Sequence, residues 1–458
     1  MNSTMKIMSW NANGLHRHQQ ELQAVLDIEN IDVCLISETH FTKQSYITFK
    51  GYCIYHTIHP DNSARGGSAV IIKKNIQHFE EAKYGKEEIQ ATVVYIKTKK
   101  FPIVVAGLYC PPRHSIKSKQ YSEFFKRLGK RFIIGGDFNA KNTHWGSRLT
   151  TTKGKELLIA IKENGCVSIS TGKPTYWPTD PGKIPDLIDF FITKNISNNF
   201  MKVEESQDMS SDHSPIVLTL SEYIIQKGNN PVLTNKYTDW ESFKVHLEQR
   251  ILLKVPLKTM DQLDIEVEKF ITDIQQSAWE STPEIKSRLK GNNYPIEIRN
   301  LLRDKRKSRK KWHQTRAPQD KKRLNNLTQQ LTREIQKLKN DTVNFYLSKL
   351  TNDSNTDYSL WKATKTLKRP IMPIHPIRKM DGTWARKNKE KAEGFANHLE
   401  NIFQPHECQL RETLDENITQ ILEDVTPTSP TEVANEIKNN LNLKKAPGFD
   451  LITGEIIK

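Results

Sequence analysis

Four short motifs in the first 220 residues join an apolar run to a side chain that can act on a phosphate. SWNANG puts Asn11 just after a strand-like run, and LISETH puts Glu38 at the end of another. IGGDFN puts Asp137 and Asn139 after FII, with two glycines read as permitting a tight turn. SSDHSP puts Asp212 and His213 immediately before the run PIVLTL. Asp189 in LIDFF and Tyr109 in LYCPP add two polar groups inside apolar runs. Singly, an Asn or Asp at a strand end is ordinarily a turn former, and a Tyr beside Pro-Pro is ordinarily core. A carboxylate inside an apolar run is different. Burying it unpaired costs several kcal/mol, so Glu38 and Asp189 call for a cation, a His or a metal. Carboxylate and amide oxygens are hard ligands suited to Mg²⁺, which keeps several waters and binds substrate phosphate. A further Asp can polarise an attacking water, and an imidazolium held by another Asp can contact a phosphate oxygen. That chemistry is phosphodiester hydrolysis.

The groups must be positioned by strands, and the chain supplies them. KIMSWN (6–11), DVCLISE (32–38), GSAVIIKK (67–74), IQATVVYIKT (89–98), FPIVVAGLYC (101–110), FIIGGDFN (132–139), LIDFFIT (187–193) and HSPIVLTL (213–220) are rich in Val and Ile and bounded by turn residues. Amphipathic stretches lie between them at 18–28, 118–130 and 154–165. Many strands with a few helices on their faces predict a layered α/β sandwich. Beyond about residue 226 helix formers dominate, with helical spacing in 241–254, 263–280 and 324–340. From about Thr426 a capped helix and a Pro-Gly turn read as the opening of another domain.

Composition narrows the function. Hydrophobic residues make up 36% of the 458, enough to build a core, so wholesale disorder is excluded. The formal net charge of +16 points to a polyanionic partner, nucleic acid before anionic membrane. Residues 301–350 alone hold 15 basic and 4 acidic side chains. No apolar stretch approaches the roughly 18 residues of a membrane helix. The N-terminus lacks an apolar signal-peptide core, which argues against secretion. Five scattered Cys without a CxxC pair read as reduced intracellular thiols.

Together WNANG, ISETH, RGGSAV, LYCPP, GGDFNA, LIDFF and SSDHSP make residues 5–220 resemble the endonuclease/exonuclease/phosphatase superfamily. The ETH form, the RGG before an apolar strand and the YxPP spacing are most similar to the apurinic-type endonuclease of non-LTR retrotransposons, Jockey-like elements of insects in particular. The resemblance implies a four-layer αββα sandwich. It also implies that Asn11 and Glu38 hold the metal, Mg²⁺ or alternatively Mn²⁺, and that Tyr109 hydrogen-bonds the phosphate. Asp137 would be the general base, with Asn139 orienting it. Asp189 would pair with His213, and Asp212 would complete the metal or water network.

The resemblance extends past residue 225. The basic stretch 303–327 is similar to the connector after such endonucleases, and 441–458 looks like the first motif of the reverse transcriptase that follows. The expected organisation is a nuclease domain (1–225), a helical basic connector (226–425) and the start of a truncated polymerase domain (426–458). No Asp-Asp pair occurs anywhere in the chain, so the polymerase palm is expected to be missing. Arg303, Lys305, Arg306, Lys307, Arg309, Lys310 and Lys311 are expected to contact nucleic acid, although such a run also suits a solvated helix face or a nuclear signal. Arg65, in Arg65-Gly66-Gly67, is either a plain hairpin residue or a DNA contact. The expected function is Mg²⁺-dependent nicking of target DNA in the nucleus, leaving a 3′-hydroxyl that primes reverse transcription. The element RNA is a further expected partner; a membrane and a small-molecule cofactor are not. The rivals are an abasic-site repair endonuclease or phosphatase of the same superfamily, and a decayed copy that only binds nucleic acid.

Overall fold

The computed structural model describes residues 4–221, 232–283, 294–349, 376–403 and 428–458, with short breaks inside these stretches. Its first part contains thirteen strands: β1 Met5–Asn11, β2 Val33–Ser37, β3 Tyr52–Thr57, β4 Ser68–Lys73, β5 His78–Glu80, β6 Tyr84–Gly85, β7 Gln90–Ile96, β8 Ile103–Tyr109, β9 Phe132–Asp137, β10 Cys166–Ile169, β11 Asp189–Lys194, β12 Met201–Glu205 and β13 Ile216–Leu220. They form one sheet ordered β12-β13-β1-β2-β4-β3 and a second ordered β10-β11-β9-β8-β7-β5, with β6 also paired to β7. Within these sheets β1–β2 and β8–β9 run parallel, and the other neighbours are antiparallel.

The two sheets pack face to face. Ile7, Leu35, Val70, Val94, Val105, Ile133, Phe191 and Leu218 fill the space between them. The opposite faces are covered as well, which is why these strands read as continuous apolar runs rather than alternating ones. Helix α1 (Gln19–Ile28) covers Met8, Trp10, Ile36 and Ile71 through Leu22, Val25 and Leu26. Helices α2 (Ser118–Arg127) and α3 (Thr152–Glu163) cover Ala106, Leu108, Ile134 and Phe190. The result is the expected four-layer α/β sandwich.

Strand parity aims the polar ends. Side chains two residues apart share a face. Asn11 therefore follows Ile7 onto the inner face of β1, Ser37 follows Leu35, Asp137 follows Ile133, and Asp189 shares the face of Phe191. Asn11 lies opposite Ser37, Tyr109 opposite Asp137, and Asp137 opposite Asp189. All five converge on one edge of the sandwich. Gly135 and Gly136 are strand residues there, not a turn. A Cβ on Gly135 would meet Leu35 at 2.8 Å, and one on Gly136 the Leu108 carbonyl oxygen at 1.9 Å. The glycines are needed for close approach.

The helical region follows. Helices α4 (Trp240–Arg250) and α5 (Met260–Glu280) share a small core with the last described residues, through Phe243, Ile274, Ala278 and Ile456. Helices α6 (Ile296–Thr315) and α7 (Pro318–Leu347) form a hairpin. The basic stretch 303–327 is thus two helices, broken where Arg316 adopts a left-handed φ of 53° and Pro318 opens α7. Compact grouping puts this hairpin with the sandwich, and 232–283 with 428–458 in a second unit. Ile298, Leu302, Leu331 and Ile335 of the hairpin join the core beneath α1. A minor hairpin, β14 (Ile377–Arg378) with β15 (Trp384–Ala385), and helices α8 (Asn388–Ile402) and α9 (Pro430–Asn439) complete the described elements that matter here. Residues 350–363, 365–375 and 404–427 of the expected connector lie outside the described residues.

Candidate active site

At the shared edge the side chains form two adjoining hydrogen-bonded groups, one around Asp137 and one of Asp189 with His213. Asn11 Nδ2 donates to Glu38 Oε1 and to Asp137 Oδ2, both at 2.9 Å. Asn139 donates to the same Asp137 carboxylate through its backbone N–H (2.8 Å) and its Nδ2 (3.1 Å). Asp189 Oδ2 lies 2.8 Å from His213 Nδ1, and His213 Nε2 faces Asp137 Oδ2 at 4.0 Å. Ligand atoms of Asp137, Asp189 and His213 all lie within 4.8 Å of one another, and all three residues are buried. Ser37 Oγ ties the sheets together at this edge, donating to the Leu108 carbonyl and accepting from the Asp137 backbone N–H.

Burial and charge set the protonation of the group. Burial and the neighbouring Asp189 and Glu38 carboxylates push Asp137 upward, against the pull of His213. Burial alone would depress His213, but the carboxylates of Asp189, Asp137 and Asp212 raise it to about 10, so the imidazole is an imidazolium at neutral pH. Burial disfavours ionised Glu38, yet hydrogen bonds from His40 and Asn11 and the charge of His213 hold its carboxyl below the usual range. Burial, with Glu38 and Asp137 nearby, keeps the Tyr109 phenol protonated. Glu38 itself has a left-handed φ of 51°, an uncommon conformation for a non-glycine residue.

The hard oxygens suit a divalent cation, with one condition. Asn11 Oδ1 accepts the Asn13 backbone N–H at 3.0 Å, so the amide shows its NH₂ to the two carboxylates. To offer oxygen to a cation held by Glu38, it must turn over. Asp212, the third expected ligand, accepts from Ser211 Oγ at 3.0 Å and from Asn13 Nδ2 at 3.3 Å.

His40 and Tyr176 are not singled out by the sequence, and Arg309, expected to contact nucleic acid, instead braces the site. His40 Nε2 sits 3.3 Å from Glu38 Oε2; it is the last letter of the ETH motif. The Tyr176 ring lies 4.9 Å from the His213 ring. Arg309, 2% exposed, donates from Nη2 to the carbonyls of Ser211 (2.9 Å) and His213 (3.1 Å), the two residues flanking Asp212. Trp10 Nε1 also donates to the His213 carbonyl, at 3.3 Å. The structure thus turns Arg309 inward, and Lys305 too, which is buried in an ion pair with Glu21. Arg303, Lys307, Lys310 and Lys311 stay on the exposed side, and Arg306 pairs with Glu29 at 2.5 Å. Arg65 is exposed and paired with Asp61. Its glycine neighbours do the work of the RGG motif. Gly66 has a φ of 56°, and a Cβ there would meet Tyr109 Cε1 at 3.1 Å.

A family profile described as "Endonuclease-reverse transcriptase" matches residues 103–217. The RNA-directed DNA polymerase from mobile element jockey of Drosophila melanogaster is 33% identical over 99% of this chain and 50% of its own length. The protein of the same description from Drosophila funebris is 31% identical over 99% and 50%. The chain therefore spans about half the length of the curated relatives it matches. Among solved structures, the endonuclease domain of TRAS1, a telomere-specific non-LTR retrotransposon, matches with a TM-score of 0.40 and 22% identity, over 47% of this chain and 98% of that one. The AP endonuclease LMAP from Leishmania major matches with a TM-score of 0.41 and 14% identity, over 47% and 87%. The chain is a homologue of the N-terminal half of Jockey-like non-LTR retrotransposon reverse transcriptase polyproteins and carries their endonuclease/exonuclease/phosphatase-type endonuclease domain.

Proposed function

We propose that this chain is a Mg²⁺-dependent DNA endonuclease that nicks target DNA and leaves a 3′-hydroxyl to prime reverse transcription of the element RNA. The observation that carries it is the buried group of Asp137, Asp189 and His213, with Asn11 and Glu38 on the facing sheet. Mn²⁺ has the same preference for hard oxygen ligands and is expected to substitute. Glu38, Asp212 and the oxygen of a turned Asn11 would hold the cation. When bound, it neutralises phosphate charge and stabilises the leaving oxygen. Asp137, steadied by two hydrogen bonds from Asn139, orients the attacking water and accepts its proton. Asp189 holds His213 by Nδ1, leaving Nε2–H to donate to a non-bridging phosphate oxygen as negative charge develops. The protonated Tyr109 is a second neutral donor. The exposed basic residues Arg303, Lys307, Lys310 and Lys311, with Arg306 and Arg65, supply diffuse attraction for nucleic acid in the nucleus.

The full chain should relax supercoiled plasmid in Mg²⁺ and leave it intact in EDTA. Asp137→Ala and His213→Ala should each slow nicking by about a hundredfold or more, the scale of a lost base or charge-stabilising donor. A DNA polymerase should extend the nicked ends without prior phosphatase treatment. Undiminished nicking by Asp137→Ala would refute the assignment of roles.

A further inference from the structure

Beside the active site, a cavity of about 350 Å³ separates its rim from the α6–α7 hairpin. Asn13, Trp177 and Asp212 line one side, and Arg309, Trp312 and Lys321 the other. Asn13 and Asp212 are hydrogen-bonded to each other, so the cavity and the catalytic group share a wall. The hairpin side is rich in positive charge. Lys321 Nζ stands 3.9 Å over the Trp312 ring, and the Arg316 guanidinium 4.7 Å over the same ring. Arg316 donates to the carbonyls of Pro178 (2.7 Å) and Asp180 (3.4 Å), neutral acceptors, and has no ion-pair partner among the described residues. Arg309 donates to the carbonyls of Ser211 and His213. The Lys321 ammonium makes no hydrogen bond or ion pair among the described residues. His313, stacked on Trp177 at 3.5 Å, is driven down to about 2 by burial and by the charges of Arg309, Arg316 and Lys321. Lys321 is itself lowered by burial and by the two arginines. Arg309 and Lys321 thus line one half-buried place, with Arg316 over the Trp312 ring that also lines it and Asp212 as the carboxylate on its wall. Mutual repulsion of this kind is relieved by an anion.

We propose that this cavity is a subsite for a backbone phosphate of the bound DNA, one that flanks the scissile phosphodiester, and that Lys321 is its principal contact. The proposal rests on the nuclease function proposed above. It makes the α6–α7 hairpin a working part of the nuclease. It also gives a defined contact to a segment whose exposed charges otherwise act diffusely.

The test uses the full chain and a set of duplex oligonucleotides around one nick position, each with a single neutral methylphosphonate linkage. Binding is read by fluorescence anisotropy in EDTA, and nicking separately in Mg²⁺. One flanking linkage should weaken binding of the unmodified protein about tenfold when neutralised, the scale of one charge-assisted hydrogen bond. Lys321→Gln should bind the unmodified duplex about tenfold more weakly and lose its sensitivity at that linkage. Its log–log salt slope should be shallower by about 0.9. Lys321→Arg should restore the sensitivity. Lys322→Gln, the same charge change on the neighbouring exposed residue, should leave the positional pattern intact. If Lys321→Gln keeps the full positional pattern, or its binding and salt slope are unchanged, the proposal is overturned. Absence of nicking by a protein that shows the expected binding pattern would instead overturn the nuclease function.

Discussion

Asn11 shows how one amide holds a charged site together. Its NH₂ bridges Glu38 and Asp137, two carboxylates that would otherwise repel each other in a buried place. Asn11→Asp removes both donors and adds a third negative charge. Without metal the variant should be destabilised by about 3 kcal/mol or more, as for an uncompensated buried charge. Asn11→Ser, which keeps a small polar group, should lose much less. Millimolar Mg²⁺ should raise the Tm of Asn11→Asp more than that of the unmodified protein. Equal responses to Mg²⁺ would exclude Asn11 from the cation's surroundings. At this scale the sequence was informative, because carboxylates inside apolar runs and four such motifs in one block exceed what turns alone require. His40 and Tyr176 were not legible. Neither stands in an apolar run, and only the folded backbone brings them to Glu38 and His213.

The hairpin is the element where sequence and structure diverge most. The seven basic residues of the run are all expected to face outward, toward nucleic acid or solvent. Yet Ile298, Leu302, Lys305, Arg309 and Trp312 are spaced by four, three, four and three, which is one stripe of a helix. Lys305 and Arg309 occupy the buried seam, and only their neighbours face water. The stripe was visible in the sequence; the density of charge concealed it. The edge strands β3, β10 and β12 were missed for a related reason, since half-exposed strands carry polar residues that break the apolar pattern. The seam has a measurable acid dependence. Burial raises Glu21, but Lys305, His18 and Ser210 outweigh it and hold the carboxyl at about 2 rather than about 4.5. A depressed carboxyl contributes stability above its unfolded value and loses it as pH falls through the folded one. That contribution is at most ~3 kcal/mol. Glu21→Gln should therefore lower stability at pH 7 and flatten the loss of stability between about pH 4.5 and 2, followed by urea titration at each pH. A parallel downward shift at every pH would contradict the ion-pair account.

At the scale of the whole molecule, the described residues divide nuclease from remainder without following chain order. No helix among them is long and apolar enough to cross a membrane. The two-metal polymerase reaction needs paired carboxylates, and the chain has no Asp-Asp pair. Purified protein should not extend a primer on poly(rA) above a heat-killed control, even in preparations that nick plasmid. Extension would show that other carboxylates supply a polymerase site. The layered fold was legible because apolar runs and helical spacing are local. The return of the hairpin to the sandwich was not, because it depends on contacts across a long separation in sequence.

That return also has a timetable. Arg309 follows Ser211, whose carbonyl it holds, by 98 residues. At synthesis rates of about 5–20 residues per second, it leaves the ribosome roughly 5–20 s later. During that interval the sheets can assemble, but the loop carrying Asp212 and His213 lacks its outer clasp, and the face beneath α1 lacks its cover. A nascent chain arrested between the two should therefore be protease-sensitive at residues 209–213 and become resistant once the hairpin has emerged. The nuclease would then be armed late, after the segment that separates its two parts has already been made.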